Sequence, residues 1–135
     1  MTKFKTRRVE KSSYRNYLKR SKECLNAAQR SFNAGEWNAS TISAIHSVIA
    51  ASDAMSVYFL GQRHAGESHE ETVKLFSTIR LKADEIKVNA KRISRILGIK
   101  NMAEYEDRLI YRTEAEKALK DAERLYQFVK SKLPR

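Results

Sequence analysis

The stretch GIKNMAEYED, residues 98 to 107, sets Lys100, Asn101, Tyr105, Glu106 and Asp107 within eight positions, directly after a strongly helical run. A lysine there can neutralise a phosphate as a point charge, an amide can orient a phosphate or a neighbouring carboxylate, and a phenol can hydrogen-bond or stack. None of the three carries protons readily near neutral pH, since a tyrosine with a pKa of about 10 is a poor general base. Acid–base work would fall to a histidine, and the chain has three: His46, His64 and His69. His46 lies inside the most apolar segment and is expected as a core or interface residue. His64 and His69 sit in RHAGESHEE beside Glu67, Glu70 and Glu71. Their spacing fits no established zinc pattern and no cysteine supports it, so no metal is expected. There is no G-x-S-x-G, no phosphate loop ending in Gly-Lys-Ser/Thr, no H-E-x-x-H and no Asp-rich calcium loop, and no cofactor is expected. The carboxylate pairs Asp84/Glu85 and Glu106/Asp107 are adjacent, which points their members to different helix faces and reads as solvated charge.

The elements that must position these residues read as helices throughout. With four glycines and one proline in 135 residues, neither a turn-rich all-β design nor a disordered chain fits, and the length suits one domain. Residues 1 to 12 have little apolar content and read as a mobile basic arm; 13 to 135 form the domain. Ser12 or Ser13 can cap a first helix whose Tyr14, Tyr17, Leu18, Cys24, Leu25, Ala28 and Phe32 recur at three- and four-residue steps. NAGEW ends it at Gly35. Trp37 to Leu60 is apolar nearly all round and rich in Ser and Ala, the mark of a central helix whose neighbours approach closely. Gly61 and Gly66 bracket a loop, and Ser68 with Glu71 forms a capping box that opens a third helix. Ile86, Ala90, Ile93 and Leu97 stripe a fourth, closed by Gly98, with Lys87, Lys91, Arg92 and Arg95 off its apolar stripe. Thr113 and Glu116 form the capping box of a last helix that runs to the end of the chain. No window alternates with period two for long enough to make a sheet. The fold class is all-α, an up-and-down bundle of about five helices.

Charge is unevenly placed within a formal total of +11. Residues 1 to 22 hold nine Lys and Arg against Glu10 alone, and residues 80 to 100 hold seven against Asp84 and Glu85. Such segments attract phosphate polymers or an acidic partner through a salt-sensitive field that carries no sequence specificity. Tyr14, Tyr17, Tyr58, Tyr111 and Tyr126 could stack nucleobases, but most fall on the apolar stripes and are expected in the core. The single Cys24 cannot close an internal disulfide and is expected as a buried, reduced thiol; with no secretory segment or run of about 18 apolar residues, a soluble cytoplasmic protein is expected.

The order of YLKRSKECLNAAQRSFNAGEWNAS, the small-residue helix TISAIHSVIAASDAMSVYFLG, SHEETVKLF and the late corner KNMAEYED before a capped last helix resembles the HEPN domain family, the higher-eukaryote and prokaryote nucleotide-binding domains. The resemblance covers most of residues 13 to 133 and implies a helical bundle that commonly dimerises around a polar groove. It also implies one of two roles. Many members are metal-independent ribonucleases, often toxins, that carry Arg, four to six residues, then His, frequently with a polar residue after the Arg; others work beside a small nucleotidyltransferase. Here Lys100 falls at the arginine position, Asn101 at the polar one and Tyr105 near the histidine position, so two of the motif's residues are replaced. Arg63 and His69 satisfy the spacing literally but lie at the junction of the second and third helices.

The expected function is therefore a non-catalytic, homodimeric binding module of a toxin–antitoxin type. Lys100, Asn101 and Tyr105, with Lys87, Lys91, Arg92 and Arg95, would contact a nucleotide, RNA or a nucleotidyltransferase partner, to which Tyr105 could serve as acceptor. One alternative is a ribonuclease with an altered site using His69, His46 or Tyr105. The other is a purely structural bundle.

Overall fold

The computed structural model describes residues 5–66 and 69–134, with the side chain of His69 outside that set. A 3-10 turn over Lys11–Ser13 leads into α1, Tyr14–Asn33. The expected serine cap is not made: Ser13 already has helical backbone angles, and its side chain bonds no backbone N–H. At Gly35 the backbone turns with φ at 74°, a left-handed value that glycine takes without a Cβ clash, and α2 follows over Trp37–Leu60.

α1 and α2 form a tight antiparallel hairpin. Ser40 Oγ donates to the Ala28 carbonyl at 2.9 Å, while Ser21 Oγ donates to the Ser47 carbonyl and Ser47 Oγ to the Ser21 carbonyl, both at 2.8 Å. A serine can reach a neighbouring helix's backbone only where the side chains between are small, which is the packing consequence of the Ser/Ala content of α2. The hairpin closes on Tyr14 and Tyr58, whose rings meet edge to face at 5.0 Å.

α2 ends at Gly61, φ 67°, and the chain enters strand β2, Gln62–His64, which pairs antiparallel with β1, Thr6–Arg8. Thr6 lies opposite His64, Arg7 opposite Arg63 and Arg8 opposite Gln62. Flanking bonds from Val9 N to the Gly61 carbonyl (3.0 Å) and from Ala65 N to the Lys5 carbonyl (2.9 Å) extend the ribbon. The sequence reading expected neither a sheet nor an ordered arm here. Strands of three residues are shorter than any period-two pattern can reveal, and their stability comes from docking on α2.

Helices α3 (His69–Ser77), α4 (Ala83–Gly98), α5 (Lys100–Tyr105) and α6 (Arg112–Lys132) complete the molecule, so the architecture is an all-α bundle of five longer helices with the short α5 and a two-stranded ribbon added. The expected Ser68 cap lies outside the described residues; Glu71 turns instead to His64. Gly98 does not stop α4 with a left-handed turn, because Ile99 keeps helical angles and joins α4 directly to α5. The α6 cap also differs from the Thr113/Glu116 box. The helix begins at Arg112, and Glu114 accepts the Tyr111 N–H at 2.9 Å.

α2 is central. Ile45, Val48, Met55 and Val57 are buried against Leu25 and Ala28 of α1, Phe76 of α3, Ile93 and Ile96 of α4, and Leu125 and Val129 of α6. Among the described residues α2 is the one helix long and apolar enough to cross a bilayer, and most of it is covered by its neighbours. Cys24, expected as a buried thiol, is partly exposed, with desolvation still pushing its thiol upward.

Candidate functional site

The Lys100–Tyr105 corner is a clamped structure. α5 is only six residues long, too short to hold itself together in water. Asn38, in the first turn of α2, binds it from outside: its Nδ2 donates to the Ala103 carbonyl at 3.1 Å and its Oδ1 accepts the Ile110 N–H at 2.8 Å. One side chain thus fixes both α5 and the loop after it. Ala103 and Ile110 are buried beneath, and Ile99 and Met102 pack partly buried against the core. Sequence reading passed over Asn38, and no local signal marks it, because its partners lie 65 and 72 residues away.

Lys100 Nζ donates to Glu104 Oε2 at 2.9 Å, and its ammonium stands 5.8 Å from the centre of the Tyr105 ring. Asn101 Nδ2 donates to Glu106 Oε1 at 2.9 Å. Tyr105 is 74% exposed. Glu104 is mostly buried, and the Lys100 hydrogen bond holds its carboxyl below the usual carboxylate range, with Tyr105 and His46 adding to the effect.

His46 belongs to this corner, which excludes the core from the two places expected for it, core or interface. Its side chain is 55% exposed and Nε2 lies 4.0 Å from Glu104 Oε1. The reason is that α2 is not covered all round: Ala39, Ile42, Ser43, His46 and Ile49 recur at three- and four-residue steps along its one open face. The corner therefore assembles a histidine, a carboxylate, a lysine and a phenol from two segments of the chain.

The loop beyond is also open. Leu109 is 74% and Tyr111 63% exposed, and Tyr111 escapes the core placement that Tyr14 and Tyr126 obey. The Arg108 guanidinium lies 4.6 Å from the centre of the Tyr111 ring while binding Glu114 through two hydrogen bonds of 2.8 and 2.9 Å. Lys100 and Arg108 are thus each paired with a carboxylate, and with Glu106 and Asp107 beside them the corner carries no excess positive charge.

The α4 cations do not act as one stripe. Lys87 and Lys91 line a groove with Val73 and Ser77 of α3. Arg92 is bonded to Asn89 at 2.9 Å, and Arg95 makes a two-pronged pair with Asp121 of α6 at 2.8 and 3.2 Å. A basic groove that the sequence reading missed runs between α1 and α6. Arg15, Lys19, Lys22 and Lys130 line it with Tyr14 and Tyr126, with no acidic residue among the lining and a volume of about 680 Å³. Its sequence signals were the basic excess of residues 1 to 22 and the helical spacing of Arg15, Lys19 and Lys22. Arg63 lies on β2, where its guanidinium donates to the His64 carbonyl; the His69 side chain is outside the described residues.

An antiparallel helical bundle with a polar corner mounted ahead of its last long helix is the architecture of a small all-α module. The family model of the HEPN domain matches residues 14–132, and the chain belongs to that family, a group of nucleotide- and RNA-related modules. Among curated proteins none matches it.

Proposed function

We propose that the protein is a non-catalytic RNA-binding module in which the corner stacks bases and the basic groove holds the backbone. The observation that carries this reading is the pair of exposed rings, Tyr105 and Tyr111, each beneath a cation and only six positions apart. Base–aromatic stacking is worth about 1–3 kcal/mol per base and tolerates any sequence. Because Lys100 and Arg108 are already paired, phosphate attraction falls to the lysines of the α1/α6 groove, which pair with no carboxylate among the described residues, and to Lys87 and Lys91. The half-buried Ile42 and Ile49 beside His46 suit a second copy of the chain, and a homodimer would place two corners together. Tyr105 also offers an accessible phenol to a nucleotidyltransferase partner, as in a toxin–antitoxin pair. The test is retention of mixed single-stranded RNA by the purified protein without metal, in a salt series, with a Tyr105→Ala, Tyr111→Ala double variant. Salt-sensitive retention of intact RNA, weakened in the variant, supports the reading; equal retention by both removes the corner from it.

One observation favours a second reading. His46 beside Glu104 supplies the proton carrier that the late motif lacks, from a different helix. A ribonuclease built this way cleaves in the same assay, and His46→Ala abolishes cleavage while leaving retention.

A further inference from the structure

A second polar site lies along α2, seven residues after His46, where the β1–β2 ribbon crosses the helix. Arg7, Ile49, Asp53, Arg63, His64, Gly66 and Thr72 surround a pocket of about 380 Å³. Asp53 is 8% exposed and, among the described residues, its carboxylate has no hydrogen-bonding or ion-pairing partner. Burial pushes it up to about 7, against the pull of Arg63 and Arg20. Burying a carboxylate without a partner costs stability, and a fold that keeps one beside a cavity has it available to a ligand.

The remaining wall is built and held. His64 Nε2 lies 3.0 Å from Glu71 Oε2 and its Nδ1 lies 3.2 Å from Thr72 Oγ1, so both ring nitrogens are engaged. Gly66 lies against this pair: a Cβ there would come within 2.5 Å of Glu71 Oε2 and 3.0 Å of His64 Nε2. The groups around Asp53 are Arg20 from α1, Arg7 from β1, Arg63 and His64 from β2, and Thr72 and the His64-paired Glu71 from α3. Two arginines in the lining, Arg7 and Arg63, with the charge of Arg20 also reaching Asp53, against one carboxyl free among the described residues give the pocket an anionic preference.

We infer that this pocket binds the phosphate of a phosphomonoester, with Arg7 and Arg63 on its anionic oxygens and the Asp53 carboxyl, protonated on binding, donating to a third. Arginine forks match phosphate oxygens in pairs. A dianion beside Asp53 favours the neutral acid, so binding takes one proton from solvent onto the carboxyl. A single tetrahedral oxyanion fills only part of the pocket, which leaves room for the organic part of an ester.

The experiment is calorimetric titration of the full chain with phenyl phosphate and with inorganic phosphate, between about pH 8 and 9.5, where both ligands are mainly dianions and the free Asp53 carboxyl is mainly ionised. Two buffers of different ionisation enthalpy count the protons. The expected result is phenyl phosphate binding with uptake of one proton and affinity falling about tenfold per pH unit. Asp53→Asn, which keeps a donor and needs no proton, binds with a flat profile, and Arg63→Gln binds about tenfold or more weakly. A flat wild-type profile, no saturable binding at the lower pH, or unchanged binding in Arg63→Gln overturns the assignment. Inorganic phosphate binding as tightly as phenyl phosphate overturns the ester and leaves free phosphate as the ligand.

Discussion

Asp53 and Thr41 are buried α2 side chains whose polarity is left uncompensated among the described residues, and each has a measurable cost. The ordinary aspartate value of 3.8 rises to about 7 in the folded protein, so between these values the native state holds more protons than the unfolded one. Stability that is full below the lower value is therefore lost as pH rises toward the upper one, by an amount of order a few kcal/mol. Asp53→Asn removes that dependence. Its denaturant midpoint is expected to exceed wild type's at pH 8 and to converge on it near pH 4, with the difference between the two proteins isolating this group. Thr41 Oγ1 is fully buried and is the one such atom without a hydrogen-bond partner among the described residues. A valine keeps its shape and removes the orphaned hydroxyl, so Thr41→Val should raise stability by about 1 kcal/mol, read as a higher Tm with unchanged helical content.

At the scale of elements, the α6 start shows how a tertiary partner chooses between local signals. Glu114 and Glu116 both sit where a capping carboxylate could, and spacing alone favoured Thr113 with Glu116. Arg108 decides for Glu114, whose carboxyl its hydrogen bonds, with the Tyr111 N–H, draw down to about 2; Glu116 pairs with Lys120 instead. Glu114→Ala is expected to cost about 1 kcal/mol at neutral pH. Because the folded value is depressed, the contribution is present above the ordinary 4.5 and lost as pH falls through about 2, so the gap between variant and wild type should close in acid denaturation. Spacing was enough to place α1, α2 and the apolar stripe of α4, since each has a long run with a consistent covered face. It could not place His46. A helix rich in Ile, Val, Ala and Ser reads as apolar all round until its neighbours fix which stripe is left open. It could not find Asn38 either, whose two bonds span most of the chain, nor the ribbon that ties residues 6 to 8 to the end of α2. The corner's residues were visible by type, and its lack of excess charge was not, because pairing with Glu104 and Glu114 is a matter of geometry.

Across the whole molecule, the surplus of eleven positive charges and the pair of exposed tyrosines would make separable contributions to the RNA binding proposed above. Cations that replace condensed counterions give the logarithm of affinity a linear dependence on the logarithm of salt, with a slope of about −0.7 per phosphate neutralised on a single strand. Stacked rings release no counterions and leave that slope alone. Lys100 and Arg108 bring their own carboxylates, so the corner adds little to the slope, whereas Lys19 and Lys22 have no acidic neighbour in their groove. A Lys19→Gln, Lys22→Gln variant should therefore bind more weakly at low salt with a slope shallower by about one to one and a half. The Tyr105→Ala, Tyr111→Ala variant should lose affinity by a similar factor at every salt concentration, leaving a parallel line. Fluorescence anisotropy of a labelled oligonucleotide across a salt series reads both quantities from one data set. A shallower line for the tyrosine variant would mean that these rings hold the cations in place instead of stacking bases, and would move the base-contacting surface away from the corner.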